Sequence, residues 1–301
     1  MEETNVKRDV YSIVTDRIIS QLEQGVIPWR KPWVDAGIPR NFITMRPYRG
    51  MNIWMLASLG YERNYFLSFK QVQDLGASVR KGEKGHMVVF WQKKEQDVEE
   101  GAANPKVKYI LRYYLVFNIA QCDNIPKEKI PGNVGRACTI EQCELIVDEM
   151  PQCPPIKYEK HEAFYNRAED YVNMPRIETF KSSPEFYSTL YHELVHSTGH
   201  PSRLNRSELM ESKGKNSEKY AIEELIAEIG ACYLKSYVGL SDEYFMYNVA
   251  YIKSWLEGLR DNKRFIFYAS SAAQRAADFI LHIKSENESE QGEEGQTVPN
   301  N

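Results

Sequence analysis

The segment His192-Glu193-Leu194-Val195-His196 sets two imidazoles four residues apart, with a carboxylate beside the first. In a helix, positions i and i+4 project from one face, so both histidines can reach the same metal ion. Glu193 is close enough to hold a metal-bound water without being a ligand itself. That combination suits hydrolysis: zinc acidifies the water and polarises a carbonyl, while the carboxylate takes the proton. Leu190, Tyr191, Leu194 and Val195 make the carrier a core helix, and imidazoles buried there need polar partners. One Zn2+ per chain is therefore the expected cofactor, with His192 and His196 as ligands and Glu193 as the catalytic base.

A third ligand is required. A metzincin would place histidine six residues after His196, where this chain has Ser202; His200 is out of that register. The gluzincin alternative draws a glutamate from a later helix, and Tyr220 to Ala231 supplies candidates. At 100° per residue, Ile222, Leu225, Ile226, Ile229 and Tyr233 gather on one broad apolar face. Glu224 and Glu228 lie together on the other side among Ala221, Ala227, Ala231 and Cys232, which suggests close approach of another helix. Glu224 is the preferred ligand, with Glu228 accepting a hydrogen bond from the distal nitrogen of a ligating histidine. The reversed assignment stays open, and Glu223 is expected to be exposed. His200 is expected to cap the helix or support the site. Tyr165 and Tyr220 are candidate donors to a developing oxyanion.

The elements that must carry these groups are mostly helical: Thr139–Glu149, Pro184–Ser197, Glu218–Val238, Glu243–Arg260 and Asp261–Lys284. Short strands are expected at Pro155–Tyr158, Ala163–Asn166 and Tyr171–Met174. Upstream, helices are expected at Asp9–Leu22, Met51–Leu59 and Ser68–Leu75, with strands at His86–Trp91 and Tyr109–Asn118. The fold class is α+β: an N-terminal α+β domain over residues 1–125, a linker over 126–138, and a mainly helical zincin-like domain with a small sheet over 139–284. The acidic tail, 285–301, lacks core residues and is expected to be disordered.

Between positions 30 and 84, ten basic residues face four acidic ones in a chain whose net charge is −4. Aromatics are interleaved with them and are candidate stacking platforms for unpaired bases. The candidate DNA-binding residues are Trp29, Arg30, Lys31, Arg40, Arg46, Tyr48, Arg49, Arg80, Lys81 and Lys84, several of them on turns from which they can reach phosphates.

No apolar run approaches the roughly 18 residues of a membrane span, and no apolar stretch follows the N-terminal charges. A cytoplasmic protein without a membrane partner is expected. The five cysteines form no CxxC pair, so reduced thiols are expected.

These motifs together resemble the ArdC antirestriction proteins of plasmids and other mobile elements. The N-terminal likeness lies in Pro39-Arg40-Asn41, Arg46-Pro47-Tyr48-Arg49-Gly50-Met51-Asn52 and Val79-Arg80-Lys81-Gly82-Glu83-Lys84-Gly85. The C-terminal likeness lies in His192 to His200, Ser202-Arg203-Leu204 and Glu223 to Ala231. The resemblance implies a single-stranded-DNA-binding domain followed by a zincin-like metallopeptidase domain, acting in a bacterial host cell to shield mobile DNA from restriction. Single-stranded DNA, and possibly double-stranded DNA, is the implied partner, with a protein substrate of unknown identity. Two mechanisms stay open: proteolysis at the zinc site, or DNA coating in which the metal is structural.

Overall fold

Helical spacing at the start of the chain produces α1 (Val10–Glu23). The Asp9 carboxylate accepts from the Ser12 amide at 2.8 Å, and Val14, Ile18 and Leu22 are buried. The computed structural model describes residues 9–30, 37–95, 107–132, 139–211, 218–240 and 249–283. Lys31, most of the Glu95–Lys106 loop, residues 133–138 of the expected linker and the 285–301 tail lie outside the described residues.

The N-terminal portion continues through β1 (Arg40–Asn41), α2 (Met51–Ala57), β2 (Tyr65–Ser68), α3 (Phe69–Asp74), β3 (Ser78–Val79), β4 (His86–Glu95), β5 (Val107–Asn118) and β6 (Cys122–Asp123). Ser68 caps α3, accepting from the Gln71 amide at 3.2 Å while the Gln71 side chain returns to the Ser68 N–H at 2.8 Å. One sheet has the order β1-β2-β5-β4, and β3 pairs with β6. The register of β4 on β5 is unbroken from His86 opposite Val116 to Glu95 opposite Val107. β1, β2, β3 and β6 were not expected from the sequence. Runs of two to four residues are too short for alternation to declare itself, and only pairing makes them strands.

The C-terminal portion comprises α4 (Ile140–Asp148), β7 (Ile156–Lys157), β8 (Phe164–Asn166), β9 (Tyr171–Asn173), α5 (Ser183–Ser197), α6 (Ser207–Met210), α7 (Glu218–Val238), α8 (Val249–Asp261) and α9 (Phe265–Ile280). The small sheet has the order β7-β9-β8 and packs on α5. Ser182 caps α5, with proline in its first turn. The final helical run is interrupted at Asn262, whose side chain accepts from the Arg264 amide at 2.9 Å and turns the chain between α8 and α9.

α7 is the central element, in contact with α5, α6, α8 and α9. Gly230 makes the approach to α5 possible, because a Cβ there would lie 2.9 Å from both methyls of Val195. The apolar core draws on both ends of the chain. Trp29 is fully buried, its ring 6.1 Å from that of Trp54 and 5.7 Å from that of Trp255. Arg49 is ion-paired with Asp278, and the Gly50 amide donates to Gln274 Oε1 at 2.8 Å. The N-terminal portion is thus packed and bonded directly onto α7, α8 and α9. No helix among the described residues is long and apolar enough to cross a membrane.

Candidate metal centre

α5 turns His192 and His196 toward α7, and their Nε2 atoms are 3.1 Å apart. Glu224 comes from α7 to meet them, its two carboxylate oxygens 3.5 Å from His192 Nε2 and 3.6 Å from His196 Nε2. Among the described residues these three form a group able to hold a metal ion, with one donor atom from each inside a 4.8 Å span. All three side chains are 13% exposed or less. Glu193 is on the same helix and is also buried.

The electrostatics describe a site in need of positive charge. Burial by itself would lower the pKa of His192, but its hydrogen bond with Glu224 and the negative charge of Glu193, Glu224 and Glu228 raise it to about 9. Burial would likewise raise Glu224, yet His192, His196 and a hydrogen bond from Tyr220 hold it at about 2. A buried carboxylate cluster of this kind is satisfied by a cation, whether a proton on imidazole or a metal. Two imidazoles and one carboxylate match the donor set of gluzincin-type zinc sites.

Glu223 corrects the sequence reading. It is 2% exposed rather than solvated, and its Oε1 lies 3.1 Å from His196 Nδ1. Arg206 clamps the same carboxylate, donating from Nε to Oε2 at 2.9 Å and from Nη2 to Oε1 at 2.5 Å. Arg206 also reaches Thr198 Oγ1 at 2.6 Å and the Val195 carbonyl at 2.8 Å. Gly199 leaves room for it, since a Cβ at that position would be 3.0 Å from Arg206 Nη2. The helical wheel assigned Glu223 to solvent because it assumed one covered face, whereas α7 is enclosed by several elements. Arg206 was missed altogether; it lies in a loop where no periodicity marks it.

Glu228 is the second correction. The sequence reading gave it the distal nitrogen of a ligating histidine, and that of His196 goes to Glu223 instead. The two Glu228 oxygens each lie 3.0 Å from Nη2 of Arg30. His200 is outside the cluster, with Nδ1 2.8 Å from Ser202 Oγ and 3.7 Å from Asp170. Tyr165 donates to Asp170 at 2.7 Å and accepts from Arg203, so its hydroxyl is engaged away from the cluster.

The expected DNA-binding residues divide sharply. Trp29 and Tyr48 are buried in the core and present no face to a base. Arg30 and Arg49 are ion-paired with Glu228 and Asp278 across the molecule. Arg40 donates to the Met45 carbonyl at 2.9 Å, and Arg80 is engaged with Glu83 and the Ala120 carbonyl. Arg46, Lys81 and Lys84 are exposed. The physical reason is common to the buried set: a basic or aromatic side chain next to a core helix gains more from burial and pairing than charge counting along a sequence can register.

Residues 8–117 match the family model for the N-terminal domain of anti-restriction factor ArdC, and residues 145–272 match that of a zincin-like metallopeptidase. An uncharacterized protein of Sinorhizobium fredii is 34% identical over 90% of this chain and 91% of its own length. A DNA primase TraC of Escherichia coli is 33% identical over 95% of this chain, which spans only 28% of that protein. Among solved structures, the metal-free antirestriction ArdC protein of plasmid R388 is 38% identical over 92% of this chain and 98% of that one, with a TM-score of 0.75. Its Mn(II)-bound structure superposes with a TM-score of 0.72.

Proposed function

The chain belongs to the ArdC family, and from that premise we propose that it is an antirestriction protein of a mobile genetic element that binds DNA and carries a zinc peptidase site. Single-stranded DNA is the favoured form, and the bacterial cytoplasm is the place of action. Residues 1–125 serve as the DNA-binding unit and residues 139–284 as the peptidase unit. The observation that carries the reading is the buried convergence of His192, His196 and Glu224 beside Glu193.

His192, His196 and Glu224 would hold the ion. When bound, Zn2+ supplies Lewis acidity toward a peptide carbonyl and a lowered pKa for water. Glu193 orients that water and takes its proton. Glu223, itself fixed by Arg206, keeps the Nε2 of His196 turned toward the cluster, the part outer carboxylates play in such sites. Tyr220, hydrogen-bonded to Glu224, steadies the third ligand.

A second reading, a DNA-coating protector with a structural metal, is favoured by one observation: none of the three donor side chains is more than 13% exposed. Changing Glu193→Gln separates the two. The variant should retain metal and DNA binding and lose peptide hydrolysis, measured against the wild type with metal content determined in parallel. If protection of transferred DNA from restriction survives that substitution undiminished, proteolysis is not its mechanism and the protector reading replaces it.

A further inference from the structure

Of the aromatic residues that sequence placed among the basic ones, Phe42, Trp54 and Phe66 join Trp29 and Tyr48 in the interior. A base-stacking surface in this portion must be built from other side chains. Phe69, Tyr109 and Tyr113 are 51%, 59% and 48% exposed, and Leu115 beside them is 47% exposed.

Tyr109, Tyr113 and Leu115 are on β5. Because the pairing of β5 with β4 and β2 runs without a bulge, Tyr113, Leu115 and Phe117 point to the same face of the sheet. Leu111 on that face is in the core, and so is Val89 opposite Tyr113 on β4, whereas the side chains of Tyr113 and Leu115 emerge beside them into solvent. The ring of Phe117 lies 6.2 Å from that of Phe69, which carries the ridge onto α3.

The basic loop Arg80–Lys84 is pressed against this ridge. A Cβ on Gly85 would meet Leu115 Cβ at 2.9 Å and Phe117 Cζ at 3.2 Å, so only glycine lets the loop lie flush. Lys81 and Lys84 are exposed there, and their ammonium groups have no ion-pair partner among the described residues. The acids of the neighbourhood are already engaged: Glu83 by Arg80 and Gln121, Asp123 by Arg80 at 3.9 Å. Lys70 follows Phe69 and is exposed as well.

We propose that this ridge is the single-strand-binding face of the protein, with bases stacked on Phe69 and Tyr113 and phosphates drawn to Lys81 and Lys84. The assignment rests on the DNA-binding reading above and deepens it. Tyr113 stands two alternate strand positions, about 14 Å, from Phe117, whose ring adjoins that of Phe69, so bases taken by Phe69 and Tyr113 are splayed apart along the ridge. Paired bases inside a duplex offer no such faces, so the ridge favours single strands. Sheet-borne aromatics capturing splayed bases beside a cationic path are an established recognition mode.

The test is fluorescence anisotropy of an oligothymidylate with the full chain over a salt series. Phe69→Ala and Tyr113→Ala should each weaken binding roughly 5- to 150-fold, leaving thermal unfolding and metal content unchanged. The double substitution Lys81→Ala with Lys84→Ala should reduce the log–log salt slope by about 1.4. An abasic oligonucleotide should lose affinity on the wild-type protein, a readout independent of how any variant folds. Tight wild-type binding with unchanged affinity and salt slope in all variants overturns this face and leaves the DNA reading standing. Absence of single-strand binding by the wild type overturns both. If the aromatic variants instead dissociate an oligomer in sedimentation without altering DNA affinity, the ridge is a self-association face and the proposal fails.

Discussion

Nδ1 of His196 is 3.1 Å from Oε1 of Glu223, and the opposite ring nitrogen is the one that faces His192 and Glu224. One imidazole is thus held between a positioning carboxylate and the candidate metal centre. Arg206 completes the line, making the carboxylate's orientation a property of the α6 approach as well as of α7.

Glu223→Gln keeps a hydrogen-bonding group beside Arg206 but removes its buried counter-charge, so it should lower stability and weaken metal binding of the folded protein about 10- to 100-fold, the usual loss for an outer partner of a ligating histidine. Titration calorimetry with Zn2+ and with Mn2+ on the variant and the wild type reads this directly. Equal affinities would remove Glu223 from the site.

Arg30 and Glu228 are 11% and 6% exposed, so the pair is a structural tie rather than a phosphate contact. Arg30→Met should destabilise the protein by about 3–5 kcal/mol through the carboxylate left unpaired. Arg30→Met combined with Glu228→Met should recover most of that loss. Urea unfolding of the two singles and the double gives the coupling, and additive effects would dissolve the pair.

Gly230→Ala gains about 1 kcal/mol in helix propensity but forces a methyl against the Val195 side chain 2.9 Å away. Overpacking of this kind costs about 1–3 kcal/mol, so the net change is a loss of stability. Val195→Ala in the same chain should relieve it, because it removes the methyls that clash. Thermal unfolding of Gly230→Ala, Val195→Ala and the double variant decides the matter; a stabilised Gly230→Ala protein would mean that α5 and α7 do not approach so closely.

Asp170 gives the chain an acid-sensitive tie. Burial pushes its carboxyl up, but Arg203 and Tyr165 more than offset this and hold it below the ordinary 3.8. A depressed carboxylate contributes stability above its unfolded pKa and loses it as pH falls through the folded value. Asp170→Asn should therefore lower the unfolding temperature at neutral pH and flatten its decline below pH 3.8. Parallel pH curves for variant and wild type would remove Asp170 from the acid transition.

The motif His192–His196 was legible because helical geometry maps spacing onto direction, and the same geometry narrowed the third ligand to Glu224 or Glu228 without choosing between them. Glu223, Arg206 and the Arg30–Glu228 tie were not legible. Each depends on which elements enclose α7, and contacts over 17 and 198 residues leave no periodic trace. The aromatic and basic content of the N-terminal portion was plain in the residues, but burial decides which rings meet solvent. Phe69 and Tyr113 emerged, while Trp29 and Tyr48 went inside.

By itself, then, the sequence determined the helices, the paired imidazoles with their adjacent carboxylate, and the concentration of cationic and aromatic residues. Local backbone geometry and composition are enough for each of these. Only the tertiary structure decided which carboxylate meets the histidines, which supports them from behind, and which aromatics remain exposed, because desolvation and pairing are settled by neighbours distant in the chain.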